Sequence, residues 1–128
     1  MFKEFYINGD WWKVVFVNSW DEHLVDRTGK MTLATSDYSE KSIFISNLIN
    51  KELLNHVFLH ELGHCIMFSC GLLFGLHKMV KREFWIQAEE WVCNFIANYG
   101  CFAIKIARDV LGNDFICIEP AWDGANVA

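Results

Sequence analysis

At 128 residues, with 53% hydrophobic and 16% aromatic content, the chain is long enough to bury one core and too apolar to be disordered. The formal net charge is −5, and Lys and Arg are spread along the chain, which excludes the basic face that direct nucleic-acid binding needs. The longest nearly uncharged apolar run, residues 65–76, is broken by Gly71 and Gly75 and falls short of the about 20 residues of a membrane span, so no membrane association is expected.

The opening stretch MFKEFYINGDWW has no apolar signal-peptide core, and the five cysteines form no C-x-x-C pair. Reduced thiols and a cytoplasmic location are the expectation. Residues 2–7 and 11–17 read as two strands joined at Asn8-Gly9, a pair that tolerates the positive φ angles of a tight hairpin turn. The polar segment 18–30 reads as a surface loop with a turn at Thr28-Gly29. Residues 31–37 and 41–46 read as a second hairpin turning near Asp37–Glu40. In the latter strand Ile43 and Ile45 share one face, and Ser42, Phe44 and Ser46 share the other. Residues 42–46 read either as a sheet edge, which would offer an extended peptide a partner, or as an ordinary core strand.

Helical periodicity begins at Asn47. Asn47 or Asn50 is the candidate cap of a helix running to about Ser69, interrupted afterwards by Gly71 and Gly75. A second long helix is expected from about Arg82 to Val110, with a bend near Gly100 and a stop at Gly112. Its apolar positions Trp85, Ala88, Val92, Phe95, Tyr99 and Phe102 recur at three- and four-residue intervals. The tail from Asn113 onward suggests a short extended piece. Without repeats or linkers, residues 1–128 form a single α+β domain: N-terminal antiparallel hairpins or a small sheet, then a zincin-like helical part.

The segment VFLHELGHCIMF places His60 and His64 four residues apart, one above the other on one helix face, where two imidazoles can hold a single ion. Neutral imidazole is a good Zn2+ ligand, and a catalytic zinc keeps three protein ligands plus water. Glu61, rotated about 100° from His60, lies outside the ligand set but can reach that water as a general base. Leu59, Leu62 and Ile66 are the positions expected to face the core. Gly63 costs about 1 kcal/mol in a helix interior, and site geometry is the reason expected for it. The third ligand is sought in AEEWVCNFIA, where Glu89 and Glu90 both qualify. Glu90 is preferred, because Asn94 lies one turn on and can hold its carboxylate, whereas Glu89 has Cys93 there. Tyr99, Tyr38 and His77 are the candidate oxyanion donors, and spacing does not separate them.

With HELGH followed about 25 residues later by EWVCNFIA, residues 33–100 resemble the ImmA/IrrE family of zinc metallopeptidases, common in phages and mobile elements. Glu90, Cys93, Asn94, Ile96 and Ala97 fall on that family's E-x-x-A-N-x-F-A motif, and gluzincin-type peptidases carry a similar third-ligand segment. In place of the family's L-L-M-P stretch the chain has NYGCFAI. The resemblance implies a zinc-dependent peptidase whose partner is a protein or peptide substrate such as a repressor-like regulator. The alternative is a catalytically inactive zinc-binding interaction protein, against which Glu61 argues: a structural site has no use for a base.

Overall fold

The computed structural model describes residues 2–120 and has the α+β order, with a four-stranded sheet followed by three helices. Strands β1 (Phe2–Ile7) and β2 (Asp10–Val17) form an antiparallel hairpin whose turn residues, Asn8 at φ 45° and Gly9 at φ 91°, both lie in the left-handed region. Strands β3 (Ala34–Asp37) and β4 (Ser42–Ser46) form the second hairpin, closed where the Asp37 carboxylate accepts the Glu40 N–H at 2.9 Å.

The two hairpins do not simply lie side by side as antiparallel pairs. The strand order is β1-β2-β4-β3, and β4 runs parallel to β2, making a mixed sheet. A parallel pair needs a crossover, and the segment between β2 and β3 supplies it by passing to the far edge. On its way it buries Leu24 completely and stacks the His23 ring on Phe44 at 4.1 Å. This covers the second face of β4, so Ser42, Phe44 and Ser46 are as buried as Ile43 and Ile45. Residues 42–46 are therefore an interior strand, and the sheet edge beside it belongs to β3.

Helix α1 (Lys51–Ser69) starts at Asn50, whose side chain accepts the Leu53 N–H at 2.9 Å. It packs Leu54, Val57, Leu62 and Cys65 on Trp12, Val14, Ile43 and Ile45, each buried aliphatic side chain contributing about 1.5–3 kcal/mol. Leu59 faces α3 instead of this sheet core, and Ile66 is part exposed. The far end of α1 is tied to the first hairpin. Trp12 Nε1 donates to Ser69 Oγ at 2.9 Å, Ser69 Oγ donates to Asp10 at 2.8 Å, and Asn8 Nδ2 donates to the Ser69 carbonyl at 2.9 Å.

Gly71, at φ 69°, ends the first helix where expected and turns the chain 96° into a short helix α2 (Leu72–Met79) that the sequence reading does not include. Helix α3 (Trp85–Leu111) follows a tight turn at Arg82–Phe84 and continues without a break through Gly100. Trp85 fixes the α2–α3 corner, stacking on His77 at 4.2 Å and donating its indole N–H to the His77 carbonyl at 3.0 Å. The tail expected from Asn113 is irregular through Pro120 apart from a 3-10 turn at Gly112–Asp114, and its last part lies outside the described residues. No single described helix is long and apolar enough to cross a membrane.

Helices α1 and α3 come into close contact at Gly63. A Cβ there would meet Cys93 Sγ at 2.9 Å and Cys93 Cα at 3.2 Å. The cost of a helix-interior glycine thus purchases helix–helix contact, not room beside an ion. A Cβ added at Gly75 would meet nothing within 4 Å outside its own helix backbone and chain neighbours. Gly63→Ala should destabilise the fold by about 1–3 kcal/mol, and Gly75→Ala should stabilise it by about 0.5–1 kcal/mol, both read from urea unfolding curves.

Candidate metal centre

The contact at Gly63 brings the first turns of α3 against the His60–His64 face of α1. His60 Nε2 lies 3.0 Å from Glu90 Oε1, and His64 Nε2 lies 3.1 Å from Glu90 Oε2. The two Nε2 atoms are 3.3 Å apart. Two imidazole nitrogens bound at about 2.05 Å to one tetrahedral zinc would be separated by about 3.3 Å. One donor atom from each of His60, His64 and Glu90 falls within 4.8 Å of the others. Two nitrogens and a carboxylate, converging at this spacing, fit a zinc with one position left open.

Glu89 is the more buried of the two glutamates and stands behind the site. His64 Nδ1 donates to Glu89 Oε2 at 2.5 Å, and the Tyr38 hydroxyl donates to the same oxygen at 2.5 Å. An ion bound at Nε2 would take the place of that nitrogen's proton and leave the other proton on Nδ1, directed at Glu89, as in metal-binding histidines commonly. Successive helix positions differ by about 100°, which sends Glu90 to one side of the His64 ring and Glu89 to the other. The Glu89/Glu90 pair therefore does not divide into one functional and one solvated residue.

Arg27, from the crossover segment, joins the two carboxylates. Its Nη2 lies 3.0 Å from Glu89 Oε2 and 3.2 Å from Glu90 Oε2. Asn94, expected to hold Glu90, is exposed and makes no hydrogen bond to it among the described residues. Arg27 does that work from 63 positions away. No spacing in the sequence signals such a contact.

The charges follow from these contacts. Burial favours a neutral Glu89, but hydrogen bonds from His64, Arg27 and Tyr38 hold its carboxyl at about 2. Burial also opposes ionisation of Glu90, and the hydrogen bonds to His60 and His64 lower it nevertheless. Burial disfavours an imidazolium at His64, yet contacts with Cys93, Glu89 and Glu90 raise it to about 12. The cluster thus favours positive charge where its donor atoms meet.

Glu61 is buried beside this cluster, with Oε2 at 4.0 Å from His60 Nε2. Ser36 of β3 donates its hydroxyl to Glu61 Oε1 at 2.7 Å. Burial raises the Glu61 carboxyl and the Ser36 hydrogen bond pulls it down. Ser36, like Arg27, is a site residue that the sequence reading missed.

Of the three candidate oxyanion donors, Tyr38 is near the site but commits its hydroxyl to Glu89; burial raises it and keeps it protonated. His77 is stacked on Trp85, Tyr99 is exposed on α3, and neither lines the cleft.

That cleft, of about 870 Å³, runs over His60, Glu61, His64 and Glu90 and along β3. The Ser46 N–H donates to the Leu33 carbonyl at 2.9 Å, which sets the phase of the β3–β4 ladder. By antiparallel alternation, Thr35 and Asp37 bond to β4 while the backbone groups of Ala34 and Ser36 face outward. Of these, the Ala34 carbonyl accepts the Thr32 hydroxyl at 2.9 Å, while the Ser36 N–H and C=O have no hydrogen-bond partner among the described residues and border the ligand cluster.

No family model matches the chain, and no curated protein or solved structure matches it.

Removing Glu90 should abolish zinc binding, and removing its supports should weaken it. In competition titrations with a chromophoric chelator, Glu90→Ala is expected to retain no stoichiometric zinc. Glu89→Gln and Arg27→Met should bind about 10–100-fold more weakly, and Asn94→Ala should match the wild type.

Proposed function

We propose that the protein is a zinc-dependent peptidase that cleaves a protein or peptide substrate. The reading is carried by one observation: His60, His64 and Glu90 converge as a three-donor set with the buried carboxylate of Glu61 beside it, at the floor of an open cleft. When bound, zinc polarises the scissile carbonyl and lowers the pKa of the attacking water.

The chain's own groups do the rest. Glu89, Tyr38 and Arg27 fix the orientation of His64 and the carboxylate of Glu90. Ser36 aims Glu61 by holding one carboxylate oxygen, leaving the other turned toward the cluster. Glu61 accepts the water's proton and passes it to the leaving amine. Its burial favours that role, since a raised carboxyl brings a base closer to working pH. The outward N–H and C=O of Ser36, with the N–H of Ala34, supply the edge on which an extended peptide lies across the cleft.

The resemblance to the ImmA/IrrE family supports a regulatory cleavage, with a repressor-like protein of a phage or mobile element as substrate and the cytoplasm as its place. Glu61 separates this reading from that of a zinc-binding interaction protein.

The test is hydrolysis of a quenched-fluorescent peptide library by zinc-loaded protein. Wild type should cleave a subset of the library, and Glu61→Gln should lose about 10²–10⁴-fold in rate while binding zinc as tightly as before. Zinc bound at one per chain with no cleavage by the wild type would instead favour the interaction protein.

A further inference from the structure

Away from the face that carries Cys93, α3 turns a run of large apolar side chains to solvent. Trp91, Phe95, Tyr99, Phe102, Ile106 and Val110 are each between 47% and 74% exposed. At about 100° per residue they fall within one stripe about 100° wide and about 28 Å long. Trp91 and Phe95 already stack within the stripe, with parallel rings 5.9 Å apart. Each member recurs 11 positions later: Trp91 with Phe102, Phe95 with Ile106, Tyr99 with Val110. An 11-residue period is about 3.67 residues per turn, so the stripe barely drifts around a straight helix.

The spacing is also palindromic. The intervals run four, four, three, four, four, symmetric about the Gly100–Cys101 peptide bond. A two-fold interface demands this property, because a contact from one position to a second must be returned from the second to the first. We infer that the stripe is the interface of a homodimer in which two α3 helices pair antiparallel about an axis level with Gly100–Cys101. Trp91 then meets Val110 of the second copy, Phe95 meets Ile106 and Tyr99 meets Phe102. In the outer two pairs a ring from one helix packs against a smaller aliphatic side chain from the other.

The area is adequate. Full aromatic side chains carry about 150–250 Å² each, so the exposed parts of the stripe amount to on the order of 700 Å² per copy. Two copies fall within the about 1,200–2,000 Å² buried by stable interfaces. A lipid surface suits the stripe less well. Interfacial helices carry a Lys/Arg-rich polar face, whereas this stripe is flanked by Asn94, Asn98 and a Lys105–Asp109 pair closed at 2.9 Å, on a chain of net charge −5. The inference is independent of the peptidase reading, since none of the stripe residues is a donor in the cluster.

Analytical ultracentrifugation of the full chain at tens of micromolar tests it. Wild type should sediment at twice the chain mass of 14.9 kDa. Phe95→Lys and Ile106→Glu alter exposed positions, so each should keep the wild-type circular dichroism spectrum while weakening the dimer at least about 30-fold. An equimolar mixture of the two variants should recover the dimer, because antiparallel pairing sets the introduced ammonium against the introduced carboxylate. A monomeric wild type, including one that instead co-sediments with phosphatidylglycerol vesicles, would overturn the inference. So would dimers that persist in both single variants, or a mixture that stays monomeric.

Discussion

At Gly63 the first long helix has no side chain, and Cys93 of the last helix occupies the space that a Cβ would fill. The depth of that approach determines how far Glu89 and Glu90 reach. A methyl group interposed there would separate the helix axes by some tenths of an ångström, comparable to the tolerance of a hydrogen bond 2.5–3.1 Å long. The fit of His60, His64 and Glu90 to one ion therefore depends on a contact that includes none of the three. Packing, not ligand chemistry, explains why a residue with poor helix propensity sits inside the histidine motif.

Two adjacent glutamates do different work because a helix turns between them. Glu90 points between the imidazoles, while Glu89 lies behind His64 and is fully enclosed by His64, Tyr38 and Arg27. An isolated buried carboxylate would cost several kcal/mol. Here one imidazole N–H, one hydroxyl and one guanidinium satisfy it, and among the described residues no buried side-chain polar atom is left unpaired. This full satisfaction lets Glu89 be buried as a carboxylate.

Local chemistry in the sequence revealed much of this molecule, and non-local contact revealed little. Asn8-Gly9 marked the first hairpin, Asn50 was one of two proposed caps, and the HELGH spacing placed two imidazoles on one face; each depends on residues within a few positions of one another. The parallel pairing of β2 with β4 depends on a crossover that period-2 alternation cannot encode, so the sequence does not separate an edge from an interior strand at residues 42–46, and β4 is interior. Asn94 was a natural partner for Glu90 by helical spacing. The partner in the structure is Arg27, delivered by a loop whose composition says only that it is polar. The stripe on α3 had the period of a core-facing helix. Period alone cannot distinguish a face that meets its own domain from one that does not.

The segment joining β2 to β3 holds two regions together. It roofs the outer face of β4 with Leu24 and His23, and from the same stretch it extends Arg27 to the two carboxylates. The sheet's rear cover and the donor cluster's clamp are thus one piece of chain. A single backbone cut between them, at Val25 or Asp26, would leave every donor atom covalently in place. It would nonetheless part the guanidinium from the Leu24–His23 cover that anchors it, so the integrity of the donor cluster would be lost by proteolysis in a loop that supplies none of its three donors.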